Sequence, residues 1–593
     1  MRIEWINIKG FRNFDNETIH FADKSLIIGA NDVGKTNLIY ALRLLFDRSI
    51  NDRDLELTDS DYNAYTKATS IEITVAISKI TECCLKSVFI DAIKDGATFI
   101  RYTNSKGGDY SILSGPTTEL LEVKPSRFYL KRLNMEYVDT NRDLFLFLKR
   151  ERIKLLEISK TGLADTLLEE DKSSISRIQK DLDNINSRID CLHYIKASLE
   201  VVNTELSKLS IHNEDQNVRF VTGNSDVDTM LDNLDLAYSA MDAPLNIGGD
   251  GRNNQIFLAT WISKQNIQKS VDHVTIFAIE EPEAHLHPHQ QRKLSKYLTE
   301  SFDEQVFITT HSPQIAAEFT PKNIIRIYSK NKISMVAQGG CSNKLSLTFD
   351  DFGYRLNAIS SEVFFSDGIF LVEGPSEKLF YTALAQEIGI DLDRLNLTIL
   401  AVDGVGFKSY IKVCKALEIP FVLRTDNDIF EKTSKGKTYY YFAGISRAIN
   451  IYKKLIASSE DDELVKYWEV NCLKNEWAGE KNGYPKSALV LNNAIRRKLK
   501  PYNIFLSLEN LEDDLVQSEL FGSLSDFYDE SNKDKLIIKM QKRKAENMLD
   551  YLKNKHSDLN ILKDKNIALP LLTIKSLIEK VVHPRGRKIR AIG

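Results

Sequence analysis

The sequence is 593 residues long, 42% hydrophobic and 27% charged, with a formal net charge of −4. A chain of that length divides into two to four domains with ample core, and its near-neutral balance gives no overall pull toward nucleic acid. No apolar run nears the roughly eighteen residues that a membrane span requires, and Met1-Arg-Ile-Glu-Trp5 lacks a signal-peptide core, so a cytoplasmic protein without membrane contact is expected.

From the N-terminus, Met1 to Phe21 alternates apolar and polar residues around Gly10-Phe11-Arg12-Asn13-Phe14, which predicts two strands joined by a turn. Leu26-Ile27-Ile28 then enters Gly29-Ala-Asn31-Asp-Val-Gly34-Lys35-Thr36, a full G-x-x-x-x-G-K-[ST] loop. Its backbone N–H groups can close on phosphate oxygens, Lys35 reaches the β and γ phosphates, and the Thr36 hydroxyl takes Mg²⁺. Leu38, Ala41, Leu42 and Leu45 follow at helical spacing, completing the strand-loop-helix context for an ATP site.

Ile175, Ile178, Leu182, Ile185, Ile189 and Leu192 step by three and four, and Ile195, Leu199, Val202, Leu206 and Leu209 resume the pattern after a break at Leu192. This predicts a coiled coil or helical hairpin inserted into the ATPase, with dimerisation as its job, although a helix pair packed on its own subunit gives the same pattern. A glycine-rich run, Asn246 to Gln255, precedes a helical-looking segment from Ile256 to Trp261. The strand Val274 to Ile279 ends in Glu280-Glu281-Pro-Glu283-Ala-His285-Leu-His287, and Val306 to Thr310 leads to His311-Ser312-Pro313. The alternating His285, His287 and His289 are set aside as zinc ligands, and the six cysteines lack the paired spacing of a zinc or disulfide framework.

In the second half, Ile369-Phe-Leu-Val372 delivers Glu373-Gly-Pro-Ser-Glu377, and Phe421-Val-Leu-Arg-Thr425 delivers Asp426-Asn-Asp428. A helix starting between Glu373 and Glu377 places both on one face, and Asp426 and Asp428 point the same way on an extended strand end. Oxygen-only ligands without His or Cys favour Mg²⁺ or Mn²⁺, a site suited to phosphodiester chemistry. The strand Leu397 to Val402, Asp403-Gly404-Val-Gly406, a helix from Lys408 to Leu417 and the strand to Thr425 form a β-α-β series. Later acids stand at Glu509, Glu512, Asp513 and Asp514, and positive charge gathers at 496–500, 539–544 and 585–590.

These motifs resemble known families. The first half is similar to ABC-type ATPases of the RecF and SMC kind. By that resemblance Glu280 takes the magnesium-side position usually held by Asp, Glu281 polarises the attacking water, His311 senses the γ-phosphate, and Asn31, Gly34, Lys35 and Thr36 bind nucleotide. The glycines of 246–255 occupy the ABC signature position without its usual serine, and no Q-loop glutamine follows the first helix. Both departures favour ATP as a regulatory ligand over rapid turnover. Glu-Gly-Pro-Ser-Glu with Thr-Asp-Asn-Asp resembles the toprim domain of topoisomerases, primases and overcoming-lysogenization-defect nucleases.

Across nearly the whole chain the arrangement resembles an overcoming-lysogenization-defect nuclease, of the branch that serves as nuclease subunit in Gabija anti-phage systems. The implied fold is α/β: an ABC ATPase over 1–150 and 241–345, a helical dimerisation insertion over 151–240, and a toprim domain with a basic helical tail over 346–593. The resemblance implies an endonuclease acting on double-stranded DNA, in which Glu373, Glu377, Asp426, Asp428, Glu512 and Asp514 hold divalent metal, Asp514 and Lys544 complete the site, and Lys542 is the alternative lysine. It further implies a homo-oligomeric dimer or tetramer, a UvrD-like helicase partner, and nucleotide that restrains cleavage. The competing readings are a RecF-like or SMC-like ATP-driven DNA-binding protein with an inactive toprim domain, and a topoisomerase or primase.

Overall fold

The computed structural model describes residues 1–139, 156, 159–160, 163–209, 226–232, 238–240, 243–245, 272–284, 286–300, 303–341, 362–402, 406–434, 437–457, 462–481 and 483–582. Two compact units form: Met1–Asp139 with Asp272–Glu283 and Pro288–Gly593, and Thr140–Val271 with Ala284–His287.

In the first unit a six-stranded antiparallel sheet opens the chain. Arg2–Lys9 pairs with Asn16–His20 on one side and Ser70–Ser78 on the other, so the expected pair of N-terminal strands is present. A second six-stranded sheet runs, edge to edge, Ile333–Val336, Ile324–Lys330, Lys24–Ile28, Val306–Thr309, Val274–Glu280 and Leu133–Val138. All its neighbours are parallel except the edge pair Ile324–Lys330 with Ile333–Val336. Lys24–Ile28 is buried at four of its five residues, as a covered parallel strand requires. It hands the chain to the P-loop helix Lys35–Phe46 through Gly34, whose φ of 112° is a left-handed conformation that other residues resist. Strand Val274–Glu280 and strand Val306–Thr309 are register neighbours, with Glu280 opposite Thr309. The two sequence-separated nucleotide motifs therefore end side by side.

Further along the same unit, four parallel strands stand in the order Leu397–Ala401, Gly368–Val372, Phe421–Thr425, Ile504–Leu506. The first strand in sequence, Gly368–Val372, lies inside, and the next two flank it on opposite sides. That reversal is a topological switch point, where open parallel sheets leave a crevice at their carboxyl ends. Glu373 and Asp426 are the first residues past the two strands that border it. The helix expected to start between Glu373 and Glu377 runs Pro375–Glu387, with Pro at its first turn. Phe370, Val372, Phe380, Tyr381 and Leu384 share a core with Leu511, Met548, Tyr551 and Ile574. Each such buried side chain contributes about 1.5–3 kcal/mol, so the helices after residue 510 are integral to this domain.

Within the second unit, helix Asp165–Asp190 ends in a turn at Cys191 and helix His193–Leu209 follows. The interruption falls beside Leu192, where the heptads break. Ile178, Ile185 and Leu192 are 37%, 49% and 42% exposed, so part of the apolar stripe is uncovered among the described residues. The glycine-rich segment 246–255, residues 342–361, Asp403-Gly404-Val405 and the basic run 585–590 lie outside the described residues. No described helix is long and apolar enough to cross a membrane.

Candidate active site

At the switch point, Glu373 is fixed from three sides. Its Oε1 accepts from the Asp426 backbone N–H at 3.0 Å, from the Thr425 hydroxyl and from Arg447. Arg447 also donates to Thr425 Oγ1 at 3.0 Å. It stands on helix Ala443–Leu455, whose second residue, Gly444, backs onto Asp426 so closely that a Cβ would lie 2.1 Å from the Asp426 carbonyl oxygen. Glu377 caps its own helix, accepting from the Gly374 N–H at 3.1 Å. Asp426 is 4% exposed and accepts from the Ser507 hydroxyl at 2.9 Å. The loop beyond Ile504–Leu506 thus supports the acid that leaves the neighbouring strand.

Lys544 begins helix Lys544–Lys555 and places Nζ 3.4 Å from Glu512 Oε2 and 3.9 Å from Asp426 Oδ2. Burial pulls its pKa down, but Glu512, Asp426 and Glu377 outweigh burial and hold the ammonium above its usual value. Among the two lysines weighed from the sequence, Lys544 is the one at the carboxylates. Of the late acids, Glu512 shares this lysine with Asp426. Asp514 serves a different contact: it pairs with the buried Arg424 and accepts from the Leu508 N–H at 2.9 Å. Arg424 stays charged because Tyr381, Asp514, Asp426 and Glu377 together overcome the burial that disfavours its cation.

Burial pushes the Asp426 carboxyl up to about 8, with Glu377 and Glu373 acting the same way and Arg424 and Lys544 opposing. Glu377 and Asp428 are also raised, chiefly by burial. Hard oxygen donors whose ionisation is disfavoured by burial and by one another suit a divalent cation. Among the described residues no three of them form a ready-made cage; Arg447 holds Glu373, while Lys544 lies between Asp426 and Glu512. Glu373, Glu377, Asp426, Asp428 and Glu512 are the residues that fit a metal.

The nucleotide motifs gather at the other sheet. Lys35 Nζ donates to the carbonyls of Gly29 and Ala30 at 3.0 and 2.8 Å, and burial lowers its pKa. Glu280 is 4% exposed, is bonded to the Thr36 hydroxyl, and accepts from Tyr137 Oη at 3.0 Å; burial raises its carboxyl. Glu281 has a φ of 43° and lies 3.5 Å from His311 Nε2. Glu283 accepts from the Thr310 hydroxyl and the His311 N–H, each at 2.7 Å, which ties the segment after Glu280 to the segment carrying His311. Asn31 and His311 line one cavity beside the loop, and Gly34, Lys35 and Thr36 line another. His285 lies outside the described residues, and His289 Nδ1 is 2.8 Å from Arg292.

Four contributors were not singled out from the sequence: Arg447, Arg424, Ser507 and Tyr137. Arg424 sits within the strand motif Phe421–Thr425, whereas Ser507, Arg447 and Tyr137 carry no local signal. Among the basic runs, Arg496 is taken up by the fold, donating through two nitrogens to the Leu506 carbonyl at 3.0 and 3.2 Å.

A profile of the AAA ATPase domain family matches residues 1–154 and 149–316, and one described as overcoming lysogenization defect protein-like, TOPRIM domain, matches residues 364–428. The chain is 28% identical over 483 residues to Endonuclease GajA of Bacillus cereus, covering 76% of this chain and 79% of that one. It is 30% identical over 162 residues to the OLD nuclease of Thermus scotoductus, covering 26% and 30%. To the Old nuclease of Escherichia phage P2 it is 23% identical over 448 residues, covering 68% and 73%. An ATPase sheet with the P-loop on it, a separate sheet with a carboxylate crevice, and relatives that span both halves agree with one another: the chain belongs to the AAA ATPase domain family, carries an overcoming-lysogenization-defect-like TOPRIM domain, and is similar to the nucleases of that name, with Endonuclease GajA among its relatives.

Proposed function

We propose that this protein is a divalent-metal-dependent DNA endonuclease whose cutting is set by nucleotide at the P-loop, and that it acts in Gabija-type anti-phage defence. The observation that carries this reading is the placement of Lys544 within 4 Å of both Asp426 and Glu512, beside Glu373 at the switch point. A structural surface lysine has no need of two carboxylates this buried. A fixed cation amid metal-type acids is what phosphodiester cleavage requires, since negative charge grows on the phosphoryl and leaving oxygens.

Bound Mg²⁺ or Mn²⁺ would supply Lewis acidity and an activated water at Glu373, Glu377, Asp426, Asp428 and Glu512. The chain's own groups do the rest. Thr425 and Ser507 hold Glu373 and Asp426 in fixed orientations. Lys544 offers a half-exposed ammonium, held by Asp426 and Glu512, to an anionic phosphate, and Arg447 adds a second cation on the Glu373 side. In the ATPase half, Lys35, Thr36 and Glu280 are the residues that would hold nucleotide and its Mg²⁺, with Glu281 and His311 facing the terminal phosphate. The absent signature serine and Q-loop glutamine support nucleotide as a restraint on cutting. A homo-oligomer assembled through the apolar stripe of helix Asp165–Asp190, with a UvrD-like helicase partner, completes the proposal.

Plasmid cleavage with Mg²⁺ or Mn²⁺, comparing wild type with Glu373→Ala, each with and without ATP, tests it. Cleavage by wild type alone, reduced by ATP, is the expected result. Cutting that ignores millimolar ATP would remove the regulatory half, and equal cutting by Glu373→Ala would remove the assigned site.

A further inference from the structure

The strand Ile429–Ser434 leaves the carboxylate site one residue after Asp428 and pairs with Lys437–Phe442, which pairs in turn with Glu476–Ala478. The first two strands of this sheet form a hairpin attached to the site where it leaves and where it returns. Where the second strand returns, the Ala443 N–H donates to the Asp428 carbonyl at 2.8 Å, and the same helix carries Arg447 to Glu373.

The two faces of the sheet differ. On one, Ile429, Phe442 and Trp477 are buried, and Trp477 packs on Phe442, Tyr440 and Tyr484 with ring centroids 5.1, 6.5 and 6.0 Å away. That face fixes the sheet rigidly. The strand register puts Phe430 opposite Tyr441, Lys432 opposite Tyr439, and Glu476 and Ala478 beyond them, on the other face. Phe430 is 49% exposed, and Tyr439 and Tyr441 are partly exposed. Lys432 pairs with Glu476 at 3.0 Å. Lys437, opposite Ser434 on this face, is exposed and makes no ion pair among the described residues.

An aromatic row flanked by lysines on a rigid sheet is how nucleobases are held when they are not paired. Rings offer a π-face to any base, and lysines follow the backbone. Phe430 has no polar atom with which to read a duplex groove. We propose that the Phe430, Tyr439 and Tyr441 face stacks unpaired bases of the DNA strand being cut and leads its backbone to the carboxylates, where the strand Ile429–Ser434 begins. The preferred substrate is then DNA with a single-stranded segment at the cleavage point. This inference rests on the DNA-nuclease reading above and names its substrate class.

The test is anisotropy titration of the full chain, in EDTA, with a single strand, a fully paired duplex and a duplex bearing a single-stranded flap. Wild type should favour the single strand and the flap. Phe430→Ala should weaken both about ten-fold while changing paired-duplex binding by less than about two-fold. Phe430→Trp should keep the affinity, and its fluorescence should be quenched by single strand and not by duplex; it also shows that the position tolerates change without unfolding. Unchanged single-strand binding by Phe430→Ala, or equal loss on every DNA, overturns the inference and leaves the nuclease reading intact. Failure of wild type to bind any DNA overturns both.

Discussion

Arg326 donates to the Leu417 carbonyl at 3.1 Å, linking a strand beside the P-loop strand to the toprim sheet's helical layer. The same guanidinium reaches Ser366 O and Asp367 Oδ1, each at 3.3 Å, and is 5% exposed. In the ATPase sheet Arg326 is the register partner of Ile28, the residue before Gly29. Arg326 therefore lies between the strand that enters the P-loop and the nuclease half. Arg326→Met should lower stability by about 3 kcal/mol in urea unfolding, because two buried carbonyls and Asp367 lose their donor. In conditions where the variant remains folded, ATP should restrain cleavage less than in wild type while binding with unchanged Kd. Retention of the full ATP response would place the coupling elsewhere.

Lys544→Met is expected to cut cleavage by roughly 10²–10⁴-fold, the range for removal of one positioned electrostatic or proton-transfer group, with DNA affinity little changed. Lys542→Met should cleave like wild type. The comparison is internal, since both lysines come from the same short run and only Lys544 lies against the carboxylates. Equal loss in both would point to a general role in holding DNA.

The adjacent acids Glu512 and Asp514 should separate by phenotype. Asp514→Asn weakens the partner of a buried arginine, so its loss should appear as instability, up to about 3–5 kcal/mol if Arg424 is left unpaired. Glu512→Gln keeps shape beside Lys544 and should abolish cutting with a melting temperature within a few degrees of wild type. Single-turnover cleavage together with thermal unfolding of the two variants distinguishes these outcomes, and the reverse pattern would return the catalytic role to Asp514.

How far the sequence discloses this site follows from how local each signal is. The P-loop, the strands leading to Glu280 and His311, and the strands delivering Glu373 and Asp426 are short-range patterns, and each forms where the pattern lies. Which acid of the Leu511–Val516 helix faces inward is not local. Successive helical residues diverge by about 100°, and only packing of helix Lys544–Lys555 decides that Glu512 meets the lysine. The choice of lysine depends on a break between helices Lys533–Gln541 and Lys544–Lys555, which no Gly or Pro announces. Arg447 sits on an ordinary amphipathic helix and gains its meaning only because Gly444 lets that helix close on Asp426.

A pair of substitutions in the ATPase half decides whether nucleotide acts by being bound or by being hydrolysed. Lys35 lies buried between the Gly29 and Ala30 carbonyls and close to Glu281. Lys35→Ala removes the cation that would meet the β and γ phosphates, so nucleotide affinity should collapse and cleavage should proceed unrestrained whether or not ATP is added. Glu281→Gln leaves Lys35, Thr36 and Glu280 in place and removes the carboxylate facing His311. Binding should persist while hydrolysis falls by about 10²-fold or more. If bound nucleotide is the restraint, Glu281→Gln should then hold cleavage down for longer at a given ATP concentration than wild type does. If hydrolysis is what licenses the nuclease, both variants should be inactive, and the time course of plasmid cutting after limiting ATP is added reads out which of the two occurs.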